Sequence, residues 1–182
     1  MDKSNYYIFL DIDGTLWDYD YRMYNKSGLL KPESMEALNL LISVLDKNYN
    51  PRIVITSRRR KKFEATCKWL YDSGLNKDFS NIDRTPWEEG DRGKKILNYM
   101  HVREKDVIYS KNKFKNKLAN LMGRKVFKNY VVIDDEAYKL DSYIPEDKII
   151  APNILSRALS LQHINEYLIK QYLIESNPQD ER

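Results

Sequence analysis

The chain has 182 residues, of which 42% are hydrophobic and 32% are charged, and its net charge is +4 at pH 7. This balance is that of a soluble globular protein, and no apolar run is long enough to span a membrane or to form a signal peptide. We therefore expect a single domain over residues 1–182 in the cytoplasm, without an internal disulfide because Cys67 is the one cysteine.

The first predicted element is a buried strand over residues 6–10, which runs into Asp11, Ile12, Asp13, Gly14 and Thr15. Residues i and i+2 of a strand share a face, so the two carboxylates are expected to converge. Gly14 allows a sharp turn close to whatever the carboxylates hold. Two converging carboxylates are costly unless a cation or a reaction uses them, so this stretch is the first candidate for a functional site.

The next predicted elements alternate between helix and strand. In chain order they are a loop or small flap over 18–31, a helix from Pro32, a strand over 52–56, a helix over 61–73 ended by Gly74, a weaker strand over 79–82 and a short helix over 93–100. The β-branched strand over 52–56 is short, as buried strands are, and it ends in Thr56, Ser57 and Arg58.

The second half of the chain continues this alternation. The predicted elements are a strand over 107–109, a basic amphipathic helix over 114–122, a strand over 130–133, a brief strand over 148–152 and a long helix over 154–174. The strand over 130–133 is the clearest of these, and it runs directly into Asp134 and Asp135.

Alternating strands and helices predict an α/β fold, a three-layer sandwich with a mostly parallel central sheet and a minimal cap or none. Ligands bind such sheets beyond the carboxyl ends of the strands, near the point where the strand order reverses. The polar groups that follow the three clearest strands, at Asp11, Thr56 and Asp134, are therefore expected to lie on one edge of the sheet.

The predicted edge carries hard oxygen ligands that suit Mg²⁺, namely Asp11, Asp13, Asp134 and Asp135. The Thr56 hydroxyl, backbone N–H groups after Gly14 and a nearby cation suit phosphoryl oxygens. One aspartate is able to attack phosphorus, and the other is able to move protons to the leaving group and from water. The pattern favours phosphoryl transfer.

These residues resemble the motifs of the haloacid dehalogenase (HAD) superfamily of phosphotransferases. Asp11-Ile12-Asp13-Gly14-Thr15-Leu16 is similar to the first motif, the strand that ends at Thr56 to the second, and Val131-Val132-Ile133-Asp134-Asp135 to the acidic fourth. The resemblance spans residues 6 to about 150. It implies a phosphatase, because relatives that keep a long-lived aspartyl-phosphate usually have another residue at the position of Asp13.

The resemblance also implies a role for each matching residue. Asp11 would be the nucleophile and a Mg²⁺ ligand, and Asp13 would be the general acid and base, with its backbone carbonyl on the metal. Thr56 would hydrogen-bond the phosphoryl group, and Asp134 with Asp135 would complete the metal site. The further candidates for substrate binding are Gly14, Thr15, Ser57, Arg58 and Arg92.

The cation of the third motif has two candidate positions. Lys115 begins the helix before the Asp134 strand, and this arrangement resembles the phosphatase domain of polynucleotide kinase-phosphatases. The stretch over residues 85–96 instead resembles the small HAD domains of RNA-repair-type proteins, in which Arg92 or Lys94 would be the cation. We favour Lys115 and keep Arg92 and Lys94 as the alternative.

The short flap predicts an open site, and basic runs over residues 58–62 and 111–128 begin near the predicted phosphate site. Lys and Arg make most phosphate contacts to nucleic acids. Trp17 is a candidate for stacking on a base, but we favour the alternative that it is a flap residue packed on the domain. We therefore expect a Mg²⁺-dependent phosphomonoester hydrolase that acts on nucleic-acid ends or nucleotides. Two alternatives stay open: a small-metabolite phosphatase, and a catalytically idle domain that binds nucleic acid or a protein partner.

Overall fold

Five parallel strands form the central sheet of the computed structural model, which describes residues 3–87, 90–103, 107–108, 125–126, 129–140, 143–152 and 158–176. The strands are β1 Asn5–Leu10, β2 Asn50–Ile55, β3 Ile82–Arg84, β6 Tyr130–Ile133 and β7 Ile149–Ile150. Their order is β3-β2-β1-β6-β7, and every pairing is parallel. Two further short strands, β4 Val107–Ile108 and β5 Lys125–Val126, pair with each other in a separate sheet.

Helices connect the strands of the central sheet. They are α1 Tyr19–Tyr24, α2 Pro32–Leu45, α3 Phe63–Asp72, α4 Arg92–Arg103 and α5 Leu161–Ser176, with 3₁₀ turns at Arg58–Lys62, Ala137–Lys139 and Glu146–Lys148. The short helix α1 lies in the predicted flap, and none of its residues is buried. In the described ranges, no helix has both the length and the apolar character that a membrane crossing requires.

Alternate side chains of β1 enter two separate hydrophobic cores, one on each face of the sheet. Ile8 and Leu10 pack with buried residues of α2, α3 and α5, whereas Tyr7 and Phe9 pack with buried residues of α4. The sheet is therefore the middle layer of three, as the period-two alternation of a strand requires. The predicted α/β sandwich with a parallel sheet is confirmed.

Helix α4 belongs to the body of the fold. Its residues Ile96, Tyr99 and Met100 are between 0% and 4% exposed in the second core. Helix α4 is therefore a packed layer of the sandwich, and its residues are not available as a lid. The predicted helix over 114–122 and the end of the predicted strand at Tyr109 lie outside the described residues.

Two predicted strands have the wrong bounds. The strand placed over 79–82 is found at Ile82–Arg84, because Phe79 is buried in the preceding turn and its carbonyl accepts a hydrogen bond from the Tyr71 hydroxyl at 2.5 Å. The predicted brief strand over 148–152 is limited to Ile149–Ile150, because a 3₁₀ turn includes Lys148.

The predicted C-terminal helix starts too early. Among its predicted residues, Ala158 has a positive φ of 85°, and the amide of Leu159 donates to the carbonyl of Thr15 at 2.8 Å. The carbonyl of Leu159 accepts a hydrogen bond from the Ser34 hydroxyl at 2.7 Å. This segment docks against the turn after β1, and α5 begins only at Leu161. Sequence periodicity does not reveal such tertiary hydrogen bonds.

The strand order reverses between β1 and β6. From β1 the chain adds β2 and β3 on one side and later adds β6 and β7 on the other side. A reversal of this kind leaves a crevice at the carboxyl ends of the two central strands. The residues that follow β1 and β6 are Asp11 and Asp134.

Candidate active site

The parallel register sets Asp11, Thr56 and Asp134 side by side. Each is the first residue after its strand, and each backbone amide donates to a carbonyl of the neighbouring strand, at 2.9, 2.9 and 3.1 Å. These ladder hydrogen bonds hold the three side chains at the same edge of the sheet. The sequence-based expectation that three strand ends converge therefore matches their backbone positions.

Three carboxylates meet at this edge and form a site suited to a hard cation. Oxygens of Asp11, Asp134 and Asp135 all lie within 4.8 Å of one another. Asp11 is 4% exposed and Asp134 is fully buried, so water screens their mutual repulsion weakly. An all-oxygen set of this kind matches the ligand preference of Mg²⁺, and these residues fit that ion.

The carboxyl group of Asp11 titrates far from its ordinary range. Burial raises its pKa, Arg92 opposes the rise, and the charges of Asp134 and Asp135 add to it, so that the pKa is about 8. Burial likewise raises the pKa values of Asp134 and Asp135. Strongly shifted groups that share a cleft are a physical sign of a functional site.

Arg92 supplies a cation to the carboxylate cluster. It is the first residue of α4, and its Nη1 bonds Oδ2 of Asp134 and lies 3.5 Å from Oδ2 of Asp11. Its Nη2 lies 3.5 Å from Oε2 of Glu136. Burial would lower the pKa of Arg92, but the facing carboxylates raise it, so the guanidinium stays charged.

The structure thus brings one of the candidate third-motif cations into the site. Arg92 contacts two of the clustered carboxylates, whereas Lys94 is exposed on α4. Lys115, the residue that we favoured from the sequence, lies outside the described residues. It remains a prediction.

Gly14 and Thr15 position Asp135. A Cβ added to Gly14, which has a φ of +83°, would lie 2.2 Å from Oδ2 of Asp135, so only glycine leaves room for that carboxylate. The Thr15 hydroxyl is fully buried, donates to Oδ1 of Asp135 at 3.2 Å and accepts from its backbone N–H at 3.2 Å. Both residues were expected to bind substrate, and that role stays a prediction; in the structure Thr15 bonds Asp135, and Gly14 leaves room for it.

Thr56 carries an unused hydroxyl at the site. The residue is 3% exposed, and among the described residues its Oγ1 has no hydrogen-bond partner. A buried hydroxyl without a partner costs free energy, unless a ligand supplies the missing hydrogen bond. This atom is therefore a candidate for contact with an oxygen of a bound substrate.

Asp13 lies outside the buried cluster, and its side chain is 46% exposed. Arg59 donates to both of its carboxylate oxygens, from Nε at 2.9 and 3.0 Å and from Nη2 at 2.6 Å. Trp17 donates from Nε1 at 3.2 Å, and the Ser57 hydroxyl lies 3.5 Å away. The Asp13 carboxylate is therefore held at the solvent-exposed rim of the site, two residues along the chain from the buried Asp11.

Arg59 and Arg60 are functional candidates that the sequence did not single out. Arg58, the predicted substrate-binding residue of this run, is exposed, whereas Arg59 packs over the rings of Trp17 and Trp69, at 5.3 and 4.5 Å from their centroids. In a run of five basic residues, only the 3₁₀ turn after Ser57 decides which side chain faces the site. The sequence carries no signal that separates them.

Arg60 braces the loop after β2. It is 4% exposed, and its Nη1 donates to the carbonyls of Thr56 and Ser57 at 2.6 and 2.8 Å. Burial and the charge of Arg92 lower its pKa, and Asp11 opposes this. The Arg60 side chain therefore holds the backbone that carries the unpartnered Thr56 hydroxyl.

Comparison with known proteins agrees with this geometry. Residues 7–164 match the family model described as "HAD domain in Swiss Army Knife RNA repair proteins", and no curated protein matches the chain. The match covers the strand ends that carry Asp11, Thr56 and Asp134, and it indicates a hydrolase of the phosphatase type. The chain belongs to the haloacid dehalogenase domains of Swiss Army Knife RNA repair proteins.

Proposed function

We propose that the protein is a Mg²⁺-dependent phosphatase that removes a terminal phosphate from RNA by way of an aspartyl-phosphate at Asp11. One observation carries the proposal: the buried hydroxyl of Thr56 has no partner among the described residues. Thr56 follows β2, the strand beside β1, and β1 leads into the buried Asp11 at the switch point of the sheet. An unpartnered donor beside a carboxylate nucleophile suits a tetrahedral phosphate better than it suits a closed structural core.

The bound phosphate is recognised by two side chains of this chain. The Thr56 hydroxyl donates to one phosphoryl oxygen and thereby gains the partner that it lacks in the free protein. Arg92 lies within 3.5 Å of Asp11, and its guanidinium offsets the negative charge shared by the nucleophile and the phosphate. The backbone N–H groups of Gly14, Thr15 and Leu16, which we expected from the sequence to be further donors, instead donate to the carbonyls of Trp17 and Ile12 within the turn.

The first chemical step is the attack of an Asp11 carboxylate oxygen on phosphorus. A bond forms between that oxygen and phosphorus, and the bond from phosphorus to the ester oxygen of the substrate breaks. The departing alkoxide takes a proton from Asp13, which has to be protonated for this step. The rim position of Asp13, beside the buried cluster, suits a group that meets the leaving end of the substrate.

The second step regenerates the enzyme. A water molecule attacks the phosphorus of the aspartyl-phosphate, and Asp13, now a carboxylate, accepts the proton of that water. The bond from phosphorus to the Asp11 oxygen breaks, and inorganic phosphate leaves. Asp13 is then protonated again and ready for the next substrate.

Asp11, Asp134 and Asp135 are the residues that would hold Mg²⁺, since their oxygens lie within 4.8 Å of one another. When bound, the ion supplies positive charge that reduces the repulsion between an anionic nucleophile and an anionic phosphate. Thr15 and Gly14 contribute by fixing the position of Asp135.

The family description and the small size of the segment between β1 and α2 favour an RNA end as the substrate. The segment between β1 and α2 contains only α1, whose residues are all at least partly exposed, and it is too small to enclose a metabolite fully. A site at an open sheet edge admits the phosphorylated end of a longer molecule. A nucleotide or small metabolite is the second candidate, and an idle binding domain is the third.

A substrate panel tests this proposal. The purified protein is expected to release phosphate from an aryl phosphate in the presence of Mg²⁺ and to stop when EDTA is added. Asp11→Asn is expected to abolish the reaction, while the matched control Asp46→Asn, an exposed carboxylate at the end of α2, keeps it. Full activity of Asp11→Asn would refute the covalent mechanism.

The same assay separates the substrates. Oligoribonucleotides with a 3′-phosphate or a 5′-phosphate are compared with free nucleotides and with a sugar phosphate at equal concentration. The proposal expects the highest kcat/KM for one of the oligoribonucleotide ends. A preference for the sugar phosphate would instead establish the small-metabolite alternative.

A further inference from the structure

An exposed tryptophan, Trp87, lies near the loop after β2 that carries Thr56 and Ser57, called the phosphate-binding loop below. Trp87 follows β3 and is 52% exposed. Two residues before it, the amide of Thr85 donates to the carbonyl of Ile55 at 3.1 Å. A half-exposed indole leaves a large, rigid aromatic surface open to a ligand.

Two cations lie against the Trp87 ring. Lys61 Nζ is 3.9 Å and Arg60 Cζ is 4.6 Å from the ring centroid, both within the range of cation–π attraction. Arg60 is buried and tied to two carbonyls, so it stays beside the ring. Lys61 is exposed, and its ammonium is able to move from the ring to an incoming anion.

The Trp87 ring and its two cations are connected directly to Thr56 in the candidate active site. The same Arg60 guanidinium that lies at the Trp87 ring donates to the carbonyl of Thr56, the residue with the unpartnered hydroxyl. One side chain therefore separates the Trp87 ring from the phosphate-binding loop. A molecule that places its terminal phosphate at Thr56 brings the unit next to that phosphate near Trp87.

We propose that Trp87 and Lys61 form a subsite for a nucleotide of a single-stranded nucleic acid, with the base stacked on the indole and a backbone phosphate on the ammonium. The inference rests on the proposed function and deepens it, because it says how a long substrate is preferred to a small one. An exposed aromatic ring beside basic side chains is the combination that binds single strands without reading their sequence.

Trp17, for which we weighed stacking on a base against packing on the domain and favoured packing, does pack on the domain. It is half-buried, packs against Trp69 with ring centroids 4.9 Å apart, and donates its indole N–H to Asp13 at 3.2 Å. These contacts give Trp17 a structural role at the rim, in holding the general acid and base. Trp87 is the more exposed ring of the two and so the better platform for a base.

The test measures binding apart from catalysis. A fluorescein-labelled single-stranded oligoribonucleotide with a 3′-phosphate is titrated with Asp11→Asn protein and Mg²⁺, and its anisotropy gives the Kd at several salt concentrations. Adding Trp87→Ala is expected to weaken binding about tenfold or more, and Trp87→Phe should restore most of the loss. Adding Lys61→Ala should reduce the slope of log K against log salt by about 0.7.

The controls keep the inference falsifiable. Lys68→Ala removes an exposed lysine of α3 that pairs with Asp72, and it should leave oligoribonucleotide binding unchanged. In otherwise unmodified protein, Trp87→Ala should lower the ratio of kcat/KM for the oligoribonucleotide to kcat/KM for an aryl phosphate about tenfold. Equal affinity of Trp87→Ala and its parent, or no binding by the parent, would overturn the subsite. Failure of aryl phosphate hydrolysis would overturn the proposed function instead, since the binding assay does not require turnover.

Discussion

Nη1 of Arg92 bonds the carboxylate of Asp134 and lies 3.5 Å from the carboxylate of Asp11, so one guanidinium joins the residues that end the two central strands. Burial raises the pKa values of both carboxyl groups, and the shared guanidinium opposes the rise in each of them. The position of Arg92 at the start of α4 thus couples a helix on one face of the sheet to the chemistry at its edge.

Replacement of Arg92 by alanine is expected to lower kcat/KM about 10²–10³-fold, because the charge shared by nucleophile and phosphate loses its compensating cation. Lys94→Ala, two residues further along the same helix and exposed, should retain nearly full activity. Steady-state kinetics with an aryl phosphate measures both. The same loss in Lys115→Ala and none in Arg92→Ala would assign the third-motif cation to Lys115.

The positions of the acidic residues follow from a general rule about parallel sheets, and this part of the site was predictable. Asp11, Thr56 and Asp134 each come directly after an apolar strand, and neighbouring parallel strands place their carboxyl ends together. No knowledge of the side-chain packing is needed to bring these three residues to one edge.

The cations were not predictable in the same way. A helix that crosses a sheet face can begin over a wide range of positions, so sequence distance alone does not decide between Arg92 and Lys115. The pairing of Arg59 with Asp13 and the burial of Arg60 depend on the 3₁₀ turn after Ser57, in which neighbouring arginines point in different directions. Tertiary contacts decide which of several chemically equivalent residues lies in the site, and a sequence pattern does not show which one it is.

Thr56→Val should separate function from folding. Valine has nearly the shape of threonine, and the deleted hydroxyl has no partner among the described residues, so the free energy of unfolding should change by less than about 1 kcal/mol. The kcat/KM should nevertheless fall at least about tenfold, because a bound phosphate loses a hydrogen bond. Urea denaturation and phosphate release together measure the two effects.

Thr66→Val is the matched control for that variant. Thr66 is also buried, but its hydroxyl is 2.9 Å from each of the carbonyls of Arg59 and Lys62. Its removal leaves carbonyl acceptors less satisfied and should cost about 1–2 kcal/mol of stability. If the two valine variants lose stability equally, the Thr56 hydroxyl has a structural partner and is not reserved for substrate.

Gly14→Ala is expected to weaken metal binding. The added Cβ would fall 2.2 Å from Oδ2 of Asp135, which forces that carboxylate away from Asp11 and Asp134. Changes in the groups that orient ligands commonly cost about 10–100-fold in metal affinity, and we expect a loss in this range for Mg²⁺. The Mg²⁺ concentration that gives half-maximal activity measures this loss.

Gly28→Ala controls for backbone strain. Gly28 also has a positive φ, of +70°, but an added Cβ there meets nothing within 4 Å. Both alanine variants should therefore be less stable, because alanine is strained at a positive φ. Only Gly14→Ala should also raise the Mg²⁺ concentration needed for half-maximal activity. An equal rise in the Mg²⁺ requirement of both variants would show that backbone strain, and not crowding of Asp135, is responsible.

The metal-free protein should lose stability as the pH rises from about 4 to about 8. Burial raises the pKa of Asp11 from 3.8 to about 8 in the folded state, so in this interval the folded chain holds a proton that the unfolded chain has released. Stability falls with pH wherever the folded state binds more protons. The urea midpoint measured in the presence of EDTA should therefore be lower at pH 8 than at pH 5.

Asp11→Asn removes the ionisable group and should flatten this pH dependence. Some slope should persist, because the pKa values of Asp134 and Asp135 are raised in the same direction. Asp46→Asn, which replaces an exposed carboxylate, should retain the slope of the parent. Since Mg²⁺ favours the ionised form, adding it at pH 8 should recover more stability in the parent than in Asp11→Asn. An identical fall in all three proteins would mean that Asp11 is already ionised in the folded chain at pH 5.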